Sequence, residues 1–320
     1  MLVIGDDVLA GLNFDRATIC MVNSDFHNAL IYLDAALELK PSDAPAHWNK
    51  AMCFLSLGRY PEGFAEFENR WDFCDWPWQL KKPNPNRIKP WRDGEIAGKR
   101  LLLINDGGHG DAIMMLRFVP RVQAMGARIT VLLYPAVRRL ARQFDVEILT
   151  EIPDLAAFDL VCPMFSLMAA LGETVETIPN APYLQAKPKS MGRRIGICWS
   201  GVSQTSLDLE KFLQHLQIES TELQALQPGP THSGVQALPD GDFADLAEIV
   251  MGLDHIVTID TALANLAGAL GHSSTHVLVR TVMEWRWYRP DIWYPKIRLY
   301  RQKIANDWRE PFAQLRQVIS

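Results

Sequence analysis

Two strand-to-helix turns hold the residues of this sequence that are best suited to chemistry. The first turn reads Asn105-Asp106-Gly107-Gly108-His109-Gly110-Asp111. Its glycines let the backbone approach a ligand closely, but their spacing matches neither the Walker motif nor the dinucleotide fingerprint. Asp111 stands where a helix is expected to begin, so its carboxylate can cap that helix or accept a proton, and capping is the simpler role. The imidazole of His109 is a second candidate proton acceptor, because histidine titrates near neutral pH.

The second turn follows an apolar strand and opens a helix that is rich in small residues. It reads Asp260-Thr261-Ala262-Leu263, and the helix continues past Asn265. The first backbone amides of a helix have no partner within the helix and lie at the positive end of its dipole, so they can bind an anion. The Thr261 hydroxyl adds a donor. Simple capping by Asp260 or Thr261 accounts for the same residues, and the sequence leaves both interpretations open.

The composition is that of an ordinary globular protein. Of the 320 residues, 48% are hydrophobic and 22% are charged, which differs from the composition of a disordered chain. The formal charge of −5 argues against a nucleic-acid partner. No apolar run approaches the roughly 20 residues that span a bilayer, so we expect a cytoplasmic protein without a transmembrane segment. Scattered cysteines predict reduced, buried thiols at Cys20, Cys53, Cys74, Cys162 and Cys198.

A repeat near the start of the chain predicts paired helices. Sliding residues 10–43 onto 44–77, an offset of 34, places small residues on small ones and large apolar residues on large ones. The aligned pairs are Ala17 with Ala51, Cys20 with Phe54, Ser24 with Gly58, Phe26 with Tyr60, Ala29 with Gly63, and Leu33 with Phe67. The pattern resembles the tetratricopeptide repeat, with helices expected near 10–22, 25–39, 44–57 and 60–73. Arg70-Trp71 at its end predicts docking onto another domain.

The rest of the chain predicts two α/β halves behind a proline-rich linker. Residues 74–97 are rich in proline, which disfavours regular structure, and their tryptophans offer large apolar surfaces. From Gly98, short apolar strands alternate with helices, and this pattern restarts after residue 190. The expected division is TPR-like helical repeats at 1–78, a packed linker at 79–97, Rossmann-like domains at 98–190 and 191–303, and a closing helix at 304–320. Ligands of such sheets bind beyond the carboxyl ends of the strands, where both turns are expected to lie.

Several motifs, taken in order along the chain, resemble one known family. They are Trp91-Arg92-Asp93-Gly94, the first turn followed by Arg117-Phe118-Val119-Pro120, Gly196-Ile197-Cys198-Trp199-Ser200-Gly201, the second turn followed by Leu266-Ala267-Gly268, and a tail that contains Trp285-Arg286-Trp287. They are similar to motifs of bacterial tetratricopeptide-repeat proteins with a glycosyltransferase domain related to the heptosyltransferases. The resemblance covers nearly the whole chain. It implies an α plus α/β fold, in which TPR-like helical repeats precede a GT-B fold of two Rossmann-like domains.

The resemblance also implies a reaction. It implies an inverting transfer, without metal or cofactor, from a nucleotide sugar to a hydroxyl of a protein or glycan that the repeats present. Asp111 would be the general base, His109 could share that role, and the helix start at Asp260–Leu263 would stabilise the leaving diphosphate. The positions assigned to the nucleotide sugar are Gly107, Gly108, Gly110, Trp199, Ser200, Gly201, Gln227, Asp260, Thr261, Ala262, Leu263 and Asn265.

Three departures from the family's pattern support a second hypothesis. The stretch 202–208 has no arginine to face a diphosphate, Asn265 stands where relatives carry histidine, and Asp106-Gly107 replaces Glu-Gln. Arg280 or Arg286 is a candidate for the missing cation. The alternative is therefore a catalytically silent relative that acts as a binding or scaffolding protein. The aromatic and basic segment 285–294 admits nucleic-acid binding, but in an acidic chain it favours packing between domains.

Overall fold

The N-terminal part of the molecule is helical. The computed structural model describes residues 5–72, 89–201, 206–229 and 232–319. Asp25 and Asp43 accept hydrogen bonds from the amides of Asn28 and Ala46, and these caps fix where the second and third helices begin. The helices are α1 (Asp6–Val22), α2 (Phe26–Leu39), α3 (Ala44–Ser56) and α4 (Tyr60–Phe67), and a 3₁₀ segment (Glu68–Asp72) follows.

Four of the six aligned pairs are buried in both helical units, whereas Cys20, Ser24 and Gly58 of the other two are only partly buried. Ala17 and Ala51 are fully buried, and Phe26 and Tyr60 are buried as well. At Gly63 an added Cβ would lie 2.6 Å from the side chain of Leu55, so only glycine lets α4 approach α3 this closely. The predicted helical N-terminal region is confirmed. The assignment of these helices as tetratricopeptide repeats stays a prediction.

The first α/β half contains a parallel sheet. Within the described residues its strands are β1 (Lys89–Pro90), β2 (Arg100–Ile104), β3 (Arg128–Leu132), β4 (Glu147–Leu149) and β5 (Leu160–Pro163), in the order β1-β5-β2-β3-β4. Its helices are α5 (His109–Met115), α6 (Val119–Ala124), α7 (Pro135–Ala141) and α8 (Leu167–Ala170). The central strand β2 is a continuous apolar run because helices cover both faces of a parallel sheet.

One expectation for the linker is wrong. We expected no regular structure at 74–97, yet Lys89–Pro90 pairs in parallel with β5 as an edge strand. Proline is tolerated at a sheet edge because no neighbouring strand requires its missing amide hydrogen. Trp91, which follows, is buried, as expected for a packed linker. Cys74, Trp76 and Trp78 lie outside the described residues.

The second half repeats the architecture. Among the described residues its parallel strands are β6 (Ile195–Cys198), β7 (Leu223–Ala225), β8 (His255–Ile259), β9 (Thr275–Val279) and β10 (Ile297–Arg301), in the order β10-β9-β8-β6-β7. Its helices are α9 (Leu209–Leu216), α10 (Phe243–Met251), α11 (Ala262–Leu270), α12 (Pro290–Trp293) and α13 (Arg309–Ile319). The parallel α/β halves predicted from the sequence are confirmed, whereas β10 was not predicted. The closing helix begins at Arg309 rather than at 304, because Asp307 accepts the Arg309 amide at 3.0 Å just before it.

Two further expectations concern cysteines and membranes. Cys53, Cys162 and Cys198 are buried free thiols, and Cys20 is half-buried. Burial raises the pKa of the Cys53 thiol to about 12, so this thiol is inert at neutral pH. Among the helices that the structure describes, none has the length and hydropathy needed to cross a bilayer.

The helical region is anchored on the first half by a buried arginine. Arg70 Nη2 donates to Asp106 Oδ2 at 2.8 Å and to Ser166 Oγ at 2.9 Å, while its Nη1 donates to Glu68 at 2.8 Å. The side chains of Arg70 and Asp106 are only 5% and 2% exposed. Asp106 also accepts the amide of Phe165 at 2.9 Å. Arg70 thus holds the start of the first turn against the last helical segment.

The aromatic segment of the second half packs on the same helices. Trp293 Nε1 donates to the hydroxyl of Tyr60 at 2.9 Å, and the ring of Trp285 lies 6.2 Å from that of Tyr60. Tyr288 packs edge-on against Phe26, with ring centroids 5.0 Å apart. The segment thus packs between domains, as its composition favoured. The helical region contacts both α/β halves.

We predict that Arg70→Met destabilises the protein by about 3–5 kcal/mol, because Asp106 is then buried without its cation. The free energy of unfolding in urea measures this loss. Arg59→Met is the matched control. Arg59 pairs with Glu62 in the same region, but both side chains are nearly half exposed, so a loss of at most about 1 kcal/mol is expected. Equal losses for the two variants would contradict the structural role of Arg70.

Candidate functional site

A cleft of about 1020 Å³ lies between the two α/β halves. On the second half it is lined by residues that end or follow the parallel strands, namely Cys198, Leu226, Ile259 and Val279. On the first half it is lined by the start of α5. The cleft therefore lies beyond the carboxyl ends of the strands, where ligands of open α/β sheets bind. Its volume is at the upper end of small-molecule sites, which span roughly 300–1000 Å³.

The two predicted turns face this same cleft. Thr261 is the N-cap residue of α11, with extended backbone angles (φ −146°, ψ 177°), and within the described residues no side chain caps the first turn of the helix. The Thr261 hydroxyl lies 3.1 Å from that of Thr258. Asp260, Thr261, Ala262 and Leu263 all line the cleft. The start of α11 thus presents uncapped amides to a space large enough for a ligand.

Helix α5 packs directly against one side of α11. A Cβ added at Gly110 would lie 2.9 Å from Asn265 Nδ2 and 3.0 Å from the Cα of Ala262. Asn265 is buried, its Nδ2 donates to the Thr261 carbonyl at 3.3 Å, and its Oδ1 accepts from the Tyr294 hydroxyl at 3.1 Å. Asn265 therefore connects α11 to the aromatic segment. Both Gly110 and Ala262 also line the cleft, so this contact lies at its wall.

Asp111 is held by two hydrogen bonds at the wall of the cleft. Its Oδ2 accepts the Gly108 amide at 2.9 Å, and its Oδ1 accepts from Arg286 Nη2 at 2.8 Å. Burial opposes the charge of Arg286, but the nearby carboxylates, Asp111 foremost, raise the pKa of this guanidinium above its ordinary value. The capping bond fixes the Asp111 carboxylate within α5, and Arg286 fixes it from the opposite half. Both roles considered for Asp111 remain compatible with this geometry.

His109 lies two residues before Asp111 and also lines the cleft. Its ring packs against Tyr134 and Phe243, at centroid distances of 4.9 and 5.4 Å. Partial burial by these neighbours lowers the pKa of His109 below its usual value. At neutral pH the imidazole is therefore uncharged and keeps a lone pair for a proton.

The turn after β6 is organised by a residue from the turn after β7. Gln227 Oε1 accepts the amides of Trp199 and Ser200, both at 2.8 Å. Gln227 lines the cleft, and its carbonyl oxygen is used by these two bonds. No described residue accepts a hydrogen bond from its Nε2 group, which can therefore donate to a ligand. Ser200 and Gly201 line the cleft, whereas the Trp199 side chain packs into the core of the second half. Residues 202–205, which lack the expected arginine, lie outside the described residues.

The described lining of the cleft is rich in carboxylates. Six acidic side chains line it, against three basic ones, Lys189, Arg280 and Arg286. The acidic residues are Asp111, Asp240, Asp242, Asp245, Asp260 and Glu284. Burial raises the pKa of Asp260 above its usual value, although the charge of Arg286 opposes this effect. The excess of carboxylates in the described lining opposes an anionic ligand.

Sequence reasoning missed an acidic segment on the rim of the cleft. Asp240-Gly241-Asp242 is an Asp-x-Asp triplet, and that spacing was the signal in the sequence. Asp242 accepts the amides of Ala244 and Asp245 as the cap of α10, and its Oδ1 lies 3.3 Å from Arg139 of the first half. Among the described residues, no three His, Cys, Asp or Glu side chains are grouped so that they could hold a metal ion.

Gly107 is a second predicted ligand residue, besides Trp199, that does not line the cleft. Gly108 and Gly110 line it, but Gly107 lines a smaller cavity of about 300 Å³ that Asp111 also lines. An added Cβ at Gly107 would meet the Asp111 Cβ at 2.5 Å. Gly107 therefore allows the turn to fold tightly over Asp111. Arg286, considered from the sequence as a cation for phosphate, is instead paired with Asp111.

Comparison with known proteins gives distant relatives. No known protein-family model matches the chain. Protein FlbA of Caulobacter vibrioides is 24% identical over 341 aligned residues, which cover 86% of this chain and 55% of FlbA. The chain thus spans about half the length of this curated relative.

Glycosyltransferases are among the solved structures with some likeness to this chain. TibC, an iron-containing dodecameric glycosyltransferase from enterotoxigenic E. coli H10407, shares 12% identity at a TM-score of 0.43 and overlaps 58% of this chain and 59% of its own. The structure of TibC in complex with ADP-D-β-D-heptose shares 13% identity with this chain at a TM-score of 0.42, and the overlap covers 58% of this chain and 59% of that one. A variant of Thermobaculum terrenum O-GlcNAc transferase gives 12% identity and a TM-score of 0.33, over 97% of this chain and 76% of its own. At these scores the overlaps assign neither a family nor an activity.

We predict that Gly110→Ala destabilises the protein by about 1–3 kcal/mol, because its methyl group must displace the backbone of α11. Thermal or urea unfolding measures the change. Gly11→Ala in α1 is the control, since nothing lies within 4 Å of its added Cβ and alanine favours a helix. If Gly110→Ala is as harmless as Gly11→Ala, the two halves are not packed at this point.

Proposed function

We propose that the cleft binds a nucleotide sugar and that the protein transfers the sugar, with inversion and without a metal ion, to a hydroxyl group of a protein or glycan. One observation carries the proposal. The uncapped start of α11 and the Asp111 carboxylate line the same cleft at the carboxyl ends of parallel strands. An anion-binding element and a proton acceptor in one cleft are the parts that displacement of a diphosphate requires.

The donor is assigned to the second half. We place the diphosphate at the backbone amides of Thr261 to Leu263, which supply donors and the positive end of a helix dipole. Such amides need no reorganisation as charge develops on the leaving group. The Nε2 group of Gln227, and Ser200 and Gly201 beside it, are assigned to the remainder of the nucleotide. The absence of a metal is proposed because Asp242 of the Asp-x-Asp triplet is already engaged by α10 amides and by Arg139.

The transfer step is a single displacement. The acceptor hydroxyl oxygen forms a bond to the anomeric carbon while the bond from that carbon to the diphosphate oxygen breaks. The electron pair leaves with the nucleoside diphosphate, and the proton of the hydroxyl passes to Asp111, whose oxygens each keep a lone pair beyond the hydrogen bonds described. The uncharged His109 stands next to Asp111 and is assigned as the second proton acceptor.

A second candidate function has its own support. The excess of carboxylates in the cleft opposes an anionic ligand, and Asn265 is engaged by Tyr294 and the Thr261 carbonyl. These observations favour a catalytically silent protein whose helices and cleft bind a partner. Nucleotide binding separates the two candidates.

We predict that one of the diphosphates of uridine, guanosine, adenosine or cytidine binds in calorimetric titration, equally well in EDTA and in magnesium. Thr261→Asp should weaken this binding at least tenfold, because its carboxylate occupies the first amides of α11 and repels phosphate. The same variant should unfold no more easily than the parent, since aspartate is a good N-cap residue. Thr261→Ser keeps the hydroxyl and should bind normally. If none of the four diphosphates binds, the second candidate replaces this one.

We further predict that Asp111→Asn lowers sugar transfer by about 10²–10⁴-fold, the usual contribution of a general base. His109→Asn should cost less than tenfold. Both variants should keep the diphosphate affinity of the parent, which calorimetry checks, and transfer is followed as release of the nucleoside diphosphate. Unchanged turnover in Asp111→Asn would remove Asp111 from the mechanism, and a larger loss in His109→Asn would make the imidazole the principal base.

A further inference from the structure

A second cavity meets the large cleft at the Asp111–Arg286 ion pair. It has a volume of about 300 Å³, and Asp111, Glu284 and Arg286 line both spaces. Its remaining walls come from the helical region, the first turn and the aromatic segment. A ligand in this cavity would therefore touch Asp111, which a donor in the cleft also touches.

The walls of this cavity are mainly aromatic. Five aromatic side chains line it: Trp48, Phe67, Trp71, Phe165 and Trp285. Their rings are mutually supported, since Trp48 and Phe67 lie 5.0 Å apart and Phe67 and Phe165 lie 5.6 Å apart. At about 300 Å³ the space is at the lower limit of small-molecule sites and accepts one ring or little more. Aromatic faces provide flat apolar surfaces against which the C–H face of a sugar ring can stack.

The charges in this cavity disfavour an anion. The guanidinium of Arg70 already donates hydrogen bonds to Glu68, Asp106 and Ser166. Arg286 is paired with Asp111, so both arginines of the described lining are already engaged, and Glu284 adds a further carboxyl group. Carboxylate oxygens accept hydrogen bonds from hydroxyl groups. The buried Nε of Arg286 has no acceptor among the described residues and is a donor that such a hydroxyl can satisfy.

We propose that this cavity binds a neutral pyranose ring, which is the acceptor end of a glycan. This inference rests on the proposed function and selects a glycan over a protein as the acceptor. A peptide is usually recognised through a sheet edge or an open groove, whereas this cavity is the size of one ring and its polar groups suit hydroxyls. One hydroxyl of the ring faces Asp111, loses its proton there, and its oxygen forms the new bond to the anomeric carbon of the donor.

Saturation-transfer NMR on the full chain tests the proposal with four neutral methyl glycosides, those of glucose, galactose, mannose and N-acetylglucosamine. At least one should bind. Met52→Trp, which fills the cavity from α3, and Trp48→Ala, which removes one aromatic face, should each weaken that binding at least tenfold. Tyr32→Ala changes a half-buried aromatic residue of the same helical region away from the cavity, and should leave the binding within twofold. If Trp48→Ala unfolds, Met52→Trp alone decides.

Three outcomes would overturn this inference. They are no bound glycoside, glycoside binding that Met52→Trp leaves intact, or preferential binding of a uronic acid or of N-acetyltyrosinamide, which represent an anionic sugar and a peptide side chain. Nucleoside diphosphate affinity is measured in the same samples and should stay within twofold in both cavity variants. Diphosphate binding without glycoside binding overturns this inference alone. Glycoside binding without diphosphate binding overturns the proposed function and its acceptor assignment, and leaves a carbohydrate-binding cavity.

Discussion

The ion pair between Asp111 and Arg286 is the contact on which the geometry of the site depends. Asp111 belongs to α5 of the first half and Arg286 to the segment after β9 of the second, so their charge-assisted hydrogen bond of 2.8 Å is among those that join the two halves. The two side chains are 25% and 9% exposed. A pair this far from water adds little net stability, but removing one partner leaves a costly unpaired charge. The pair therefore fixes a position more than it stabilises the fold.

The helical region supports this contact from one side. Arg70 holds Asp106 at the start of the first turn, and Tyr60 holds Trp293 of the aromatic segment. The same helices thus contact Asp106 and Trp293, which lie close along the chain to Asp111 and Arg286 respectively. Their aromatic side chains, together with Trp285, enclose the smaller cavity. The helices are therefore part of the site's wall and not only an appended module.

The cleft offers an anion hydrogen-bond donors but few free positive charges. Carboxylates outnumber basic side chains in its described lining, and Arg286 is already paired. The start of α11 supplies donors that carry partial charge only, so its contribution is modest unless the site excludes water. The amides at the start of α11 favour an anion and the carboxylates oppose it. For this reason a measurement of nucleotide binding distinguishes an enzyme from a silent binding protein.

The order of elements and the location of the two turns follow from patterns in the amino-acid sequence. Hydrophobic periodicity and the residues that begin or end helices and strands are local properties of the sequence. The helical start, both parallel halves and the strand-to-helix turns at Asp111 and Thr261 could therefore be predicted from them. The edge strand at Pro90 and strand β10 could not, because pairing with a neighbouring strand decides them. Three contacts became visible only in the folded chain: the ion pair of Arg286 with Asp111, the packing of Gly110 against α11, and the position of Gly107 at a second cavity. Those contacts join residues far apart in the chain, and their partners are set by how three packed units meet, which no local pattern encodes.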